Sequence, residues 1–254
     1  MSADLTQGTL HYDDLVLATG RAPISGTIRP GEILGLAGLE GQGQEHFLHA
    51  LVGLDKPVAG RVTFRGAQGT SEIANHRQAA KHGVVYLPRD RRATGIFPGL
   101  SVLDNFGLPS MPAFSKLGIL ARRRQKERLA YYTDFLSIKY PDMAAPISAL
   151  SGGNQQKVLL ARWLALEPRV MLLNDPTRGV DLNTRLKFYE AFKKLTQESQ
   201  IALVILSSEI EEILHICDRV AVFRDFEIHS TIEKQDMTMS RVLGAMFGQQ
   251  QAAI

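Results

Sequence analysis

Cysteine is almost absent. Cys217 is the single thiol in 254 residues, so an internal disulfide is excluded, and with it the stapled small-scaffold class of folds. Neither sign of charge dominates: 29 Lys and Arg stand against 26 Asp and Glu, a formal +3, too slight an excess to demand a nucleic-acid partner. Long apolar runs are missing as well. No stretch approaches the roughly 18–20 apolar residues of a spanning helix, so any membrane association is expected through a partner or the surface. No charged leader precedes Asp4, which together with the lone thiol reads as a cytoplasmic protein. The seven histidines show no metal-ligand spacing. Cys217, next to Asp218, reads as a small buried thiol at a helix end and not as a nucleophile. What is present is apolar content, 44% of the chain. That is enough for a sizeable core, as one large α/β domain or as a core with an inserted subdomain.

Short β-rich apolar runs at 32–37, 84–87, 170–173, 202–206 and 220–223 read as buried strands, and runs of that kind predict a parallel sheet. Helical patterns at 44–52, 154–166, 183–196 and 209–216 fall between them, giving the strand and helix alternation of a doubly wound fold. From 95 to 150 the pattern changes. No convincing strand is present, Pro98, Pro109, Pro112, Pro141 and Pro146 punctuate the stretch, and 122–136 reads as a helix. The expected organisation is a core of residues 1–94 and 150–254 with an inserted helical subdomain at 95–149. There is no internal repeat, and 249–254 reads as a frayed tail. The Arg-rich run at 122–128 alternates charge along a helix and reads as a solvated face. Trp163, Tyr131 and Tyr132 read as packing residues.

The strand at 32–37 runs into Gly38-Leu39-Glu40-Gly41-Gln42-Gly43-Gln44-Glu45 and then a helix, the order of a phosphate-binding loop. Glycines let backbone N–H groups converge on phosphate oxygens at the positive end of a helix. A Gly-rich strand-to-helix turn also permits close packing, so the loop alone leaves both readings open. Ser151-Gly152-Gly153-Asn154-Gln155-Gln156-Lys157 opens a second helical stretch. A capping role needs only Ser151 and leaves the two glycines unexplained, whereas bare amides at a helix N-terminus favour an anion. A third element, Val170-Met171-Leu172-Leu173-Asn174-Asp175-Pro176-Thr177-Arg178-Gly179-Val180-Asp181, is a hydrophobic strand ending in polar residues and a turn.

The 151–157 segment resembles the signature of ATP-binding-cassette proteins, in the form typical of ribose-type and other monosaccharide importers, and 170–181 resembles the same family's Walker B strand and D-loop. The resemblance covers nearly the whole chain. It is to the second cassette of a two-cassette sugar-import ATPase, with 85–92 at the Q-loop place and 205–209 at the switch-histidine place. It implies a P-loop NTPase (RecA-like) core with a mostly parallel sheet, N-terminal antiparallel β elements and an inserted helical subdomain. It further implies ATP and Mg²⁺, mainly at a composite site. There Ser151, Gly152, Gly153 and Gln155 act on the ATP of another cassette, fused or separate, and Asp181 communicates between sites. Transmembrane permease subunits would be direct partners at the inner face of the membrane and a periplasmic or extracellular solute-binding protein an indirect one; nucleic acid is not expected.

Several positions depart from the family pattern. Gln44 and Glu45 stand where Lys and Ser or Thr bind phosphate and Mg²⁺. Asn174 replaces the Mg²⁺-holding Asp, and Asp175 the Glu that polarises water. Arg89 stands at the Q-loop Gln and Ser208 at the switch His. No aromatic before Ser25 suits an adenine, since Tyr12 is too far upstream. A unit charge about 4 Å from a phosphate is worth on the order of 4 kcal/mol at an effective dielectric of 20. Losing the Lys and gaining Glu45 therefore predicts weak MgATP binding and little turnover at this chain's own site. The reading preferred is a cassette that completes a partner's site. The alternatives are a self-sufficient homodimeric ATPase and a nucleotide-independent assembly module.

Overall fold

The computed structural model describes residues 8–109, 115–116, 119–120 and 122–248. Residues 1–7 and the tail at 249–254 lie outside the described residues. The chain divides into two compact units, one of residues 1–86, 169–175 and 193–254, the other of 87–168 and 176–192.

The first unit holds two sheets. β1 (Thr9–Val16), β2 (Ile24–Ile28), β4 (Ala59–Gly66) and β5 (Gly69–Glu72) form a four-stranded antiparallel sheet in the order β2-β1-β4-β5. β3 (Ile33–Ala37), β6 (Val84–Leu87), β9 (Val170–Asn174), β10 (Ala202–Leu206), β11 (Arg219–Arg224) and β12 (Glu227–Glu233) form a six-stranded sheet in the order β12-β11-β3-β10-β9-β6. The β11, β3, β10 and β9 pairings are parallel, and β12 adds antiparallel at one edge. Every residue of β3 and β9 is buried, as expected of strands covered on both faces. Leu206 pairs with Asn174 and Leu36 with Leu206 in register, so the ends of β3, β10 and β9 lie side by side where ligands bind in open α/β sheets.

Helix α1 (Gln44–Val52) buries Phe47, Leu48 and Leu51, with Phe47 edge-on to Tyr12 at a 5.0 Å centroid distance. Tyr12 is a core residue. Beneath β3, Gly35 lies against the loop after helix α7 (Ile210–Ile216): a Cβ there would meet Cys217 Sγ at 2.9 Å. The short α2 (His76–Lys81) and the terminal α8 (Met239–Met246), capped by Asn75 and Thr238, complete this unit.

The second unit is helical, with α3 (Val102–Gly107), α4 (Arg122–Leu136), α5 (Gly152–Leu164) and the first turns of α6 (Leu182–Ser199). A polar hub organises it. Arg162 is buried and donates to the carbonyls of Asn105 and Gly95 at 2.6 Å and to Asn105 Oδ1 at 3.0 Å, while Asn105 Nδ2 donates to the carbonyls of Phe97, Leu100 and Ser101. Burial draws the guanidinium pKa down to about 10, which leaves it charged at neutral pH. The fork satisfies carbonyls that burial would otherwise orphan.

Two expectations are corrected. The stretch 95–150 does contain strand, the two-residue pair β7 (Ser115–Lys116) and β8 (Ile119–Leu120); so short a ladder needs no apolar alternation and leaves no trace in a pattern search. The helix expected from 154 begins at Gly152, because the Ser151 hydroxyl caps it by accepting from Asn154 N. Among the described residues no helix is long and apolar enough to cross a membrane.

Candidate functional site

In the first unit the glycine loop links β3 to α1. Gly38, Gly41 and Gly43 have φ of 155°, 80° and 106°, and the last two lie in the region that L side chains resist. A Cβ on Gly43 would come within 2.7 Å of Phe226 Cα, whereas none on Gly41 would meet anything within 4 Å. The turn after β11 holds the loop: Phe226 N donates to the Gln42 carbonyl and Asp225 N to Gln42 Oε1. Gln44 does not extend outwards. Its buried amide folds into the loop and donates to the Leu39 carbonyl at 3.0 Å, close enough to Gly38 that a Cβ there would sit 2.2 Å from Gln44 Nε2. The side chain thus turns back into the glycine loop, against Gly38 and Leu39.

Asn174 closes β9. Its Nδ2 donates to Glu45 Oε1 at 2.8 Å and to the Tyr86 hydroxyl at 3.1 Å; facing a carboxylate oxygen, only the N–H side of the amide is chemically sensible. Tyr86 lies 3.1 Å from His49 Nε2, and His49 Nδ1 lies 2.9 Å from Asp55 Oδ2. With Tyr86 accepting from Asn174, one continuous chain of hydrogen bonds runs from Glu45 through Asn174, Tyr86 and His49 to Asp55. Burial raises the Tyr86 pKa, and the hydrogen bond from Asn174 acts against it, so the phenol stays protonated. At the place where a hard cation would need anionic oxygens, the structure has an amide N–H and an oxygen already engaged with it. Asn174 Oδ1, buried beside them, has no hydrogen-bond partner among the described residues, and the set offers a divalent cation fewer anionic oxygens than such an ion usually takes. Among the described residues no group of three or more His, Cys, Asp or Glu could hold a metal.

Asp175 and Ser208 also meet, though not through a catalytic side-chain pair. Asp175 Oδ1 accepts from Ser208 N at 2.7 Å, and Asp175 N donates to the Leu206 carbonyl at 2.7 Å. The buried Asp175 carboxylate therefore braces the end of β9 to the end of β10.

The remaining expected positions lie in the second unit. Arg89 is half-buried in the loop after β6. Ser151 is exposed at the start of α5, followed by Gly152 and Gly153. Gln155 is buried and donates to the Leu150 carbonyl at 3.0 Å, so it supports the signature turn from within. Asp181 caps α6, accepting from Thr184 N at 3.0 Å and Thr184 Oγ1 at 2.8 Å; these bonds hold its carboxyl below the usual range. Thr184 in turn closes on Gly153, where a Cβ would lie 3.1 Å from Thr184 Cγ2. Tyr86, His49, Thr184 and Arg91 were not expected as site residues. Tyr86 and Arg91 stood inside the quoted 85–92 segment, but nothing local in the sequence says what they touch.

A glycine loop at the end of the parallel strand β3, with polar residues closing β10 beside it and β9 beyond that, defines an α/β cassette of the phosphate-binding-loop class. The chain belongs to the ABC transporter family, whose model matches residues 22–178. Among curated proteins it is 40% identical to a ribose/galactose/methyl galactoside import ATP-binding protein of Agrobacterium fabrum, over 89% of this chain and 44% of that protein. It is 36% identical to an arabinose import ATP-binding protein of Chromohalobacter salexigens, over 87% and 44%. The chain thus spans less than half the length of these relatives. Two solved structures share the fold. An ATP-binding cassette of an ABC transporter in its ADP conformation aligns with TM-score 0.76 at 17% identity, covering 96% of this chain and all of that one. A dimeric cassette bound to ADP and Pi in a post-hydrolysis state aligns with TM-score 0.74 at 20% identity, covering 89% and 98%.

Proposed function

We propose that this chain is the non-catalytic cassette of an ATPase that powers sugar import, its signature completing the ATP site of a second, competent cassette. The observation that carries the reading is the hydrogen bond of Asn174 to Glu45. The two residues at the Mg²⁺ places pair through the Asn174 Nδ2 donor and the Glu45 Oε1 acceptor, while the buried Asn174 Oδ1 has no hydrogen-bond partner among the described residues. Gln44 folded into the loop and Asp175 engaged by Ser208 N act in the same direction. Phosphate binding here would displace Gln44 and bring an anion towards Glu45.

The signature side is differently built. Ser151 is exposed over a 13-residue helix, whose N-terminal amides favour an anion. Leu182 and Leu186, a turn apart on α6, are 68% and 45% exposed, apolar surface that a protein partner would cover. In this reading Ser151, Gly152 and Gly153 close over the partner's γ-phosphate and Asp181 links the two sites. The Arg89 loop and the helical unit receive permease subunits at the inner face of the membrane, and a solute-binding protein acts indirectly. Sugar as cargo rests on the names of the relatives.

Calorimetric titration of the chain with MgATP, alongside steady-state hydrolysis, tests the first half. About 3 kcal/mol of lost phosphate interaction predicts binding roughly a hundredfold weaker than for a competent loop, with negligible turnover. The triple substitution Gln44→Lys, Glu45→Ser, Asn174→Asp is expected to tighten binding. Micromolar affinity with ordinary turnover in the unmodified chain would overturn the reading in favour of a self-sufficient ATPase.

A further inference from the structure

Arg91 opens a five-residue π-helical turn, Arg91–Gly95, whose N-terminus Asp90 caps by accepting from the backbone N–H of Arg92 and Ala93. The turn directs the Arg91 side chain to two glycines far away in sequence. Nη1 donates to the Arg178 carbonyl at 3.0 Å. A Cβ on Gly152 would lie 2.4 Å from Nη2 and 3.3 Å from Cζ, and one on Gly179 would lie 3.6 Å from Nη1. The guanidinium therefore occupies the space that a side chain at 152 would need, and rests in ordinary van der Waals contact range of position 179. Gly179 has φ 67°, which by itself calls for glycine. Gly152 is in an ordinary helical first turn and has no such backbone reason; the close approach of Arg91 is what its missing Cβ permits.

We propose that Arg91 is a positioning residue for nucleotide turnover, keyed between Gly152 of the signature and Gly179 of the following turn so that both are presented to the partner's nucleotide in fixed register. The inference rests on the reading that this signature serves a partner's site. Two features of the geometry support it. Thr184, tied to Asp181, closes on Gly153 from the other side, so each signature glycine is packed by a residue that ties it to the 178–184 turn. Among the described residues the buried guanidinium Nε has no hydrogen-bond partner, so within them the group is held by shape and by the Arg178 carbonyl. Arg92 and Arg178 also lie near enough to act against the Arg91 charge, and Asp90 near enough to favour it.

The test uses the chain assembled with its catalytic cassette and membrane subunits, measuring MgATP turnover for Arg91→Gln, Arg91→Lys, Gly152→Ala and the Arg91→Gln/Gly152→Ala double variant. Arg91→Gln is expected to lower kcat about tenfold with KM within about twofold, the signature of an interaction made on the way to the transition state. Arg91→Lys, which keeps the charge and one donor, is expected to recover part of the loss. Gly152→Ala displaces the flexible guanidinium tip at little cost in folding. In the double variant it should add less than about twofold to the loss from Arg91→Gln, because both remove the same contact. Unchanged thermal unfolding of the isolated variants shows that the fold is intact. If Ser151→Arg abolishes turnover while Arg91→Gln leaves kcat within about twofold, the role of Arg91 is overturned alone; if Ser151→Arg leaves turnover intact, the reading beneath it fails.

Discussion

The Asp175 carboxylate accepts from the backbone N–H of Ser208 at 2.7 Å, and the backbone at Asp175 has φ 46°. Asp and Asn tolerate that left-handed conformation better than other L residues, and Asn keeps the acceptor; Ala does neither. Asp175→Asn is expected to leave the urea unfolding free energy within about 0.5 kcal/mol, and Asp175→Ala to lower it by about 1–2 kcal/mol. Equal losses in the two variants would show that the brace contributes nothing.

Asn174→Asp sets a buried carboxylate against Glu45. Burial and like charge both raise the folded pKa of the new group. Such a group is harmless while protonated in both states and costs stability as pH rises above its unfolded value near 4. The deficit against the parent chain should open above about pH 4 and reach about 2–4 kcal/mol at neutral pH. Millimolar Mn²⁺ should narrow it, since the pair then resembles a cation site. Thermal unfolding from pH 4 to 8, with and without Mn²⁺, checks this; a deficit flat across pH contradicts it.

The loop glycines are not equivalent. Gly43→Ala forces a Cβ into the backbone of Phe226 at a φ of 106°, and Gly41→Ala meets only the φ of 80°. The expected losses are about 2 kcal/mol or more for the first and about 1 kcal/mol for the second, read from chemical denaturation. The reverse order would mean that the turn at 225–226 does not pin the loop.

In the helical unit Ser101 caps α3, accepting from Asp104 N and donating to Asp104 Oδ2 at 2.6 Å. That hydrogen bond first, and Arg122 next, hold the Asp104 carboxyl below its ordinary range. A depressed carboxylate adds stability that is complete above its unfolded value near 4 and lost as pH falls through the folded pKa. Asp104→Asn is therefore expected to lose less stability than the parent chain between pH 5 and pH 2.5 in acid titrations followed by circular dichroism. Parallel curves would rule out a contribution from this carboxyl.

The central strands were legible because β3 and β9 are buried at every position and so read as unbroken apolar runs. β4 was not, since its outward residues Arg61 and Arg65 break the run. The glycine loop showed as a strand, glycine turn and helix that left two readings open, and the signature was found by its resemblance to a family motif. The bonds around Asn174 could not be found in either way: it finds Tyr86 88 residues away and Glu45 129 residues away. The absence of Lys at position 44 was visible in the sequence, but the inward fold of the Gln44 amide is a matter of tertiary packing. Arg91 was equally hidden, because its meaning depends on two glycines that only the fold brings beside it.

Cys217 has one further consequence. It is the only thiol in the chain, wholly buried against Gly35, and burial pushes its pKa up. A thiol that is neither accessible nor ionised is inert to alkylation, so labelling reports only those moments when α7 parts from β3. The strand that ends in the glycine loop thus carries its own opening counter: labelling kinetics with iodoacetamide read the local unfolding of that strand without any introduced probe.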